Sequence, residues 1–358
     1  METLKIVFTG GPCAGKTTLI KMLKKYFKEN NINFLSISET ATDLLSSEFN
    51  KNTLNNIYNF QEYILERQIF KESEVDKLLK LNKKNKFVVL YDRGLLDNKA
   101  YLSDYTEFDK LLSSHKLSEI DILYNYDIVF DLITTADCDP SKYTLSTNCE
   151  RTESLREAIE LDKKTSNAWV GHKSMKIINS SISIDEAFNI IKNIVDELLK
   201  GITTKEITKM KICNTLEDFQ EYDDNNSRLF RVSENKINGI RKEFIYKIYK
   251  KKYKNSYIYE LKVYKKDGNI ERIYFDSKIS ESEYVEILNK YDIKSYNEYY
   301  ELMFVENRQE YDVKFYEDKT TLEYEENKLN QEFVLPSVIK LKEEKKTLIK
   351  EKQNIGMV

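Results

Sequence analysis

Residues 10–17 read GGPCAGKT, and they stand between a short apolar run, LKIVFT (4–9), and an amphipathic one, TTLIKMLKKYFKEN (17–30). Gly10, Gly15, Lys16 and Thr17 match the pattern GxxxxGK[ST], and the flanks read as strand before and helix after, which is where the pattern has a mechanism. The chain has nine glycines, and Gly10, Gly11 and Gly15 fall within six residues. Glycine lets a loop adopt positive φ and approach a ligand closely, so this concentration points to a loop wrapped around phosphate. The segment from Gly10 through Gly11, Pro12, Cys13, Ala14, Gly15 and Lys16 to Thr17 and Thr18 is therefore the expected nucleotide-binding loop. Its chemistry calls for a nucleoside triphosphate, ATP or GTP, with Mg2+: Lys16 neutralises the β and γ oxygens, and the Thr17 hydroxyl takes a magnesium position.

Outward from the loop, INFLSIS (32–38), KFVVLYD (86–92), YDIVFDLIT (126–134) and SMKIINSS (174–181) read as apolar strands. Helical stretches lie between them, about 54–82 and 182–201 being the clearest. This alternation predicts a parallel sheet covered on both faces, with ligands at the carboxyl ends of its strands. Asp92 ends a strand at that edge and is suited to magnesium or to an acceptor's proton, unless it only caps a helix. Arg93 beside it suits a phosphate or an acidic substrate group. Glu39, in SETAT, projects to the same edge, as an acceptor ligand or as an ordinary helix N-terminal acid. Gln61 is either an acceptor-reading amide or a solvated helix position. Arg151 and Arg156 follow the fourth strand, where a lid arginine would stabilise the transferring group, and position favours Arg151. Trp169 and His172, in WVGH, read as packing residues, with no second histidine nearby for a metal.

The chain of 358 residues suits two domains. Its charges balance to a net −3, which gives no reason to expect nucleic acid or an anionic membrane as a partner. The four cysteines are scattered, and no apolar run is long enough to span a bilayer, so a cytoplasmic protein with reduced thiols is expected. After Gly201 the texture changes to tyrosine-rich alternation, as in EFIYKIYKK and EYDVKFYED, with a hairpin signal at KKDGN (265–269). The tail from Leu341, LKEEKKTLIKEK, reads as a charged helix.

GGPCAGKTT, SETAT, FQ, DRGLLDNKAYLS, YDIVFDLITTAD, RTESLREAIELD, NAWVGH and KIINSS occur in one order. Together they make the first 200 residues resemble the NadR/TRPL-translocation-defect family of P-loop ATPase domains, relatives of nucleoside and nucleotide kinases. The resemblance implies an α/β fold of kinase type over 1–203 and assigns the loop, Asp92, Arg93 and Arg151 to nucleotide and phosphoryl handling. It puts Glu39 and Gln61 on the acceptor side. From 204 to 358 the chain looks like the CYTH-related domain of that branch, an α+β antiparallel barrel whose tunnel binds triphosphates, here followed by a C-terminal helix. Its landmarks are SRLFRV, GNIERIYFDSKISESEY and LPSVIKL. The acidic alternation expected on the first strand is replaced by Lys209 and Lys211, and the K-x-R strand reads YYELMF (299–304), departures that argue against triphosphatase catalysis. Arg228, Arg231, Lys247 and Lys262 form either a basic tunnel or ordinary exposed alternation.

Two functions are carried forward. One is a small-molecule phosphotransferase acting on a nucleoside-like or other hydroxyl acceptor. The other is a nucleotide-regulated adaptor whose second domain binds a phosphate-rich ligand, acidic phospholipid or protein.

Overall fold

The computed structural model describes residues 3–46, 56–82, 86–102, 104–138, 140, 154–223, 225–239, 241–267, 270–325, 334–342 and 347–354. The chain divides into two compact units, Met1–Asn193 and Ile194–Val358. The change of sequence texture puts the boundary at 203/204, whereas this division falls inside the helix that precedes it.

The first unit runs β1 (Leu4–Thr9), α1 (Lys16–Glu29), β2 (Phe34–Ile37), α2 (Thr40–Ser46), α3 (Ile57–Leu81), β3 (Val88–Asp92), a 3₁₀ turn (Leu95–Tyr101), α4 (Tyr105–Ser114) and α5 (Glu119–Leu123). It continues with β4 (Ile128–Leu132), α6 (Thr135–Cys138), α7 (Leu155–Ala168), β5 (Met175–Ile178) and α8 (Ile184–Leu199). The five strands form a parallel sheet in the order β2-β3-β1-β4-β5. Every residue of β3 and β4 is buried, as helices on both faces require. The register pairs Phe8 with Asp92 and Thr9 with Asp131, so the glycine loop leaves β1 flanked by an acid on each neighbouring strand. Local caps agree with this layout. Asn56 accepts from the Asn59 N–H ahead of α3, and Ser154 and Glu157 make a reciprocal capping box at the start of α7.

The second unit comprises β6 (Ile202–Ile212), β7 (Ser227–Ile237), β8 (Phe244–Tyr253), β9 (Ser256–Asp267), β10 (Ile270–Ile279), α9 (Glu281–Lys290), β11 (Ile293–Glu306), β12 (Gln309–Phe315), β13 (Thr320–Glu325) and β14 (Thr347–Asn354). They make one antiparallel sheet in the order β10-β9-β8-β7-β11-β12-β13-β6-β14. β9 and β10 pair across the KKDGN turn, whose tip at 268–269 lies outside the described residues.

Two expectations fail here. No ladder joins the outer strands β10 and β14 among the described residues, so the sheet is not a hydrogen-bonded closed barrel, although the two strands approach within 8 Å between Cα atoms. Thr347–Asn354 of the charged tail form a strand rather than a helix, because the open edge of β6 offers unpaired backbone groups and β14 pairs with them from Ile202 to Lys209.

One face of this sheet is apolar. Met210, Ile212, Leu302, Phe304, Tyr311, Val313, Leu322 and Tyr324 pack there with Phe219, and Ile237, Ile248 and Tyr259 pack with Tyr284 of α9. The alternate residues on β6, β11, β12 and β13 are Lys209, Glu301, Asp312, Lys314 and Glu323, so strand periodicity sends charge to the other face.

Candidate functional site

The glycine loop has the backbone its composition forecasts. Gly10, Cys13 and Gly15 have φ of 121°, 58° and 83°, and α1 starts at Lys16. A Cβ on Gly10 would lie 1.9 Å from the Leu132 carbonyl oxygen, so no side chain fits there. Lys16 bends back over the loop, and its ammonium donates to the carbonyls of Gly10 (2.9 Å) and Gly11 (2.7 Å). Burial, reinforced by the nearby Arg93, lowers that ammonium to about 8. Thr17 and Thr18 stay exposed at the helix start, where first-turn N–H groups and the helix dipole favour an anion.

The Thr17 hydroxyl donates to Asp92 Oδ2 at 3.1 Å, while the buried Oδ1 has no hydrogen-bond partner. Burial and the charge of Glu39 raise the Asp92 carboxyl above its usual range, against the pull of Lys16 and Arg93. Arg93 sits in the left-handed region at φ 71°. Its guanidinium is held by Glu39 (2.6 Å), Asp97 (3.3 Å) and the Gly10 carbonyl (3.2 Å), and it lies over the Tyr101 ring. Burial alone would raise Glu39; Arg93 and Lys16, with hydrogen bonds from Arg93 and Thr42, bring it down to about 2. The structure thus brings Lys16, Thr17, Asp92, Arg93 and Glu39 together, with Arg93 already spent on Glu39 and Asp97.

Gln61 is buried on α3, so the solvated-helix alternative falls. Arg151 lies outside the described residues. Arg156 is exposed and paired with Glu160 one turn along α7. Trp169 is fully buried and donates to Asp97, and His172 Nε2 lies 3.0 Å from the Tyr126 carbonyl oxygen, so both are packing residues.

Sequence reasoning missed three buried acids beneath the loop. Asp97 accepts from Thr9, the Gly94 N–H and Trp169. Asp162 Oδ1 accepts from the Gly11 N–H (2.6 Å) and the Thr134 N–H (3.0 Å). Asp131 is fully buried, and burial together with Asp162 pushes its carboxyl upward. The available signal was an acid closing the otherwise amphipathic AIELD of α7.

In the second unit several partly buried lysines are paired. Lys314 reaches Glu323 (2.6 Å), Asp312 (3.1 Å) and Glu301 (3.7 Å). Lys251 bridges Glu301 (3.0 Å) and Glu260 (3.6 Å), and Lys262 faces Asp276 (3.5 Å). Lys209 pairs with Glu323, and Lys247 with Glu234. Arg228 is buried over Tyr253, whereas Arg231 is exposed and paired with Glu298. These carboxylates therefore come from β7 and from β9–β13, on strands where the sequence reading did not seek them.

A parallel sheet whose central strand feeds a phosphate-type loop into a helix, with an acid on the adjacent strand, defines a P-loop domain of the nucleotide-binding class. The AAA-domain family matches residues 5–186, and the chain belongs to that family. No curated protein matches the chain. Among solved structures, the protein PH1819 of Pyrococcus horikoshii OT3 is 12% identical, with a TM-score of 0.28 over 38% of this chain and 80% of its own. An inorganic triphosphatase, NE1496, is 8% identical, with a TM-score of 0.25 over 38% of this chain and 86% of its own. A conserved hypothetical protein of Pyrococcus furiosus is 20% identical, with a TM-score of 0.26 over 35% of this chain and 81% of its own. Likenesses this slight carry no argument. Among the described residues no helix is long and apolar enough to cross a membrane.

Proposed function

We propose that the first unit is a magnesium-dependent phosphotransferase that takes ATP or GTP and passes its terminal phosphoryl group to a hydroxyl of a nucleoside-like or other small acceptor. The observation that carries this reading is Asp92, whose buried Oδ1 is unpartnered while Oδ2 holds the Thr17 hydroxyl at the mouth of the loop. A buried carboxylate oxygen without a partner is costly in isolation and is explained by a ligand. Thr17 and Asp92 are the residues that would hold magnesium, an ion that keeps several waters and needs only one or two protein oxygens beside the phosphates. When bound it supplies charge neutralisation.

Lys16, freed from the Gly10 and Gly11 carbonyls, neutralises the phosphate oxygens. The acceptor oxygen bonds to the γ phosphorus as the bond to the β–γ bridging oxygen breaks. Asp92 takes the acceptor proton through its unpartnered Oδ1, Oδ2 being the oxygen turned to Thr17. Glu39 and Gln61 line the acceptor side; Arg93 fixes Glu39 and adds positive potential, and Arg151, outside the described residues, keeps the phosphoryl-handling role that the family resemblance assigns it.

The experiment is a thermal-shift panel of nucleosides, nicotinamide riboside, nucleoside triphosphates, polyphosphate and acidic lipids, followed by turnover with the acceptor it identifies. Asp92→Asn is expected to lower turnover by about 100-fold, the usual range for a lost general base. Undiminished turnover in that variant would sink the transfer reading.

The alternative, a nucleotide-controlled adaptor with a CYTH-like second domain for a phosphate-rich ligand or acidic phospholipid, meets an obstacle at the inner face of the second unit. A polyanion there would have to displace carboxylates from Lys251, Lys262 and Lys314. Stabilisation by polyphosphate or lipid in the same panel, with no response to any acceptor, would reverse this preference.

A further inference from the structure

We propose that Asp162 is a positioning residue for the nucleotide loop, clamping Gly11 to the end of β4 so that the loop is set before nucleotide arrives. The inference rests on the reading that this loop binds nucleotide, and it deepens it.

The geometry is that of a two-point clamp. Asp162 projects from α7 and is buried at 4% exposure, and its Oδ1 accepts from the Gly11 and Thr134 N–H groups, 2.6 and 3.0 Å away. One oxygen thus ties the loop after β1 to the loop after β4. The tie is reinforced alongside. The Thr134 hydroxyl donates to the Pro12 carbonyl at 2.5 Å, and the Thr135 hydroxyl donates to the Cys13 carbonyl at 3.3 Å. Hydrogen bonds to an ionised acceptor are roughly twice as strong as neutral ones, and a buried backbone N–H left unpaired is costly, so this oxygen governs the loop's conformation.

The contact also explains Gly11, which the GxxxxGK[ST] pattern leaves free. A Cβ at Gly11 would lie 2.6 Å from Asp162 Oδ1 and 2.8 Å from its Cβ, so Gly11 is demanded by the clamp and not by phosphate. Because its N–H is committed to Asp162, the phosphates must draw their donors from further along the loop. The clamp therefore divides the loop into an anchored half and a ligand-facing half. Fixing donors in advance removes ordering cost from binding.

The test uses the full chain with Asp162→Ala and Asp162→Asn, the asparagine retaining an oxygen able to accept the same two N–H groups. Two readouts are taken: amide hydrogen exchange of the peptide spanning 10–18 without nucleotide, and calorimetric affinity for Mg-ATP and Mg-GTP. Alanine is expected to speed loop exchange and weaken nucleotide binding by about 10-fold each, within the range for losing the two hydrogen bonds that Asp162 accepts, with exchange in β3 unchanged. Asparagine is expected to restore most of both. Loop exchange in Asp162→Ala equal to that of the unaltered protein would overturn the clamp, as would asparagine behaving like alanine. If the alanine variant does not fold, Asp162→Glu keeps the charge but shifts the oxygen by one methylene, and unaltered loop exchange there would equally overturn it. Unaltered protein that binds neither nucleotide would bring down the nucleotide reading, and the exchange data tell that result apart from failure of the clamp.

Discussion

Lys16 is a buried lysine and Lys314 a largely buried one, with its side chain 15% exposed, and their surroundings differ in kind. Lys16 is met by two backbone carbonyls, and its ammonium is lowered to about 8. Lys314 is met by the carboxylates of Glu301, Asp312 and Glu323, which hold it well above its ordinary value despite burial. Carbonyl dipoles can be given up to water or phosphate at modest cost, whereas withdrawing the Lys314 ammonium takes the ion-pair partner from Asp312 and one of two cations from Glu301 and Glu323, which keep Lys251 and Lys209. The first arrangement is poised for an anionic ligand. The second is a finished structural cluster, and the pairs formed by Lys251 and Lys262 extend it across the sheet.

The sharpest way to break this contrast is Lys314→Met, which takes the cation from Asp312 and leaves Glu301 and Glu323 with Lys251 and Lys209 alone. It is expected to destabilise the second unit by about 3–5 kcal/mol, the cost of removing one partner from a buried ion cluster. Trp169, the chain's one tryptophan, lies in the first unit. Its fluorescence unfolding transition should stay in place while the far-ultraviolet circular dichroism transition moves to lower denaturant. A shift of both together would refute the separation. Lys16→Met should do the converse, weakening Mg-ATP or Mg-GTP binding about 100-fold, or ~2.7 kcal/mol, with little change in either unfolding transition. Calorimetry on the variant checks it.

Glu72 sharpens the comparison through pH. It is buried on α3, and burial raises its carboxyl to about 7, although Tyr126 donates to it at 2.7 Å. Because the folded value lies above the unfolded one, the folded state binds the proton more tightly below neutrality. That stability is fully present below about 4.5 and is lost as pH rises through about 7. Glu72→Gln should therefore match the natural protein at pH 4 and exceed it at pH 8 by on the order of 3 kcal/mol in Trp169-monitored unfolding. An equal difference at both values would refute the titration. The smallest effect is expected at the exposed Arg231–Glu298 pair, where Arg231→Gln should leave the denaturation midpoint unchanged in the same experiment, solvent screening the pair.

Much of the first unit was legible because its signals are local. GGPCAGKT with its flanks announced strand, loop and helix, and the apolar runs KFVVLYD (86–92) and YDIVFDLIT (126–134) announced parallel strands buried on both faces. Glu39, Asp92 and Arg93 were legible as a group because each follows a strand of that sheet. In the second unit the alternation of EFIYKIYKK and EYDVKFYED was equally plain, but a period of two does not say which strands become neighbours. The tail misread as a helix shows the limit: LKEEKKTLIKEK has helical composition, and the free edge of β6 made part of it a strand.

By itself, then, the sequence determined the phosphate loop, the parallel sheet around it and the β-rich character of the second half, since each is written in residues within a few positions of one another. Only the tertiary structure decided what meets across long separations. It brought Asp162 of α7 to Gly11, gave Arg93 to Glu39 and Asp97, and set Glu301, Asp312 and Glu323 around Lys314. Charge pairing and hydrogen bonding act through space, and the positions they join lie up to 151 residues apart in the chain.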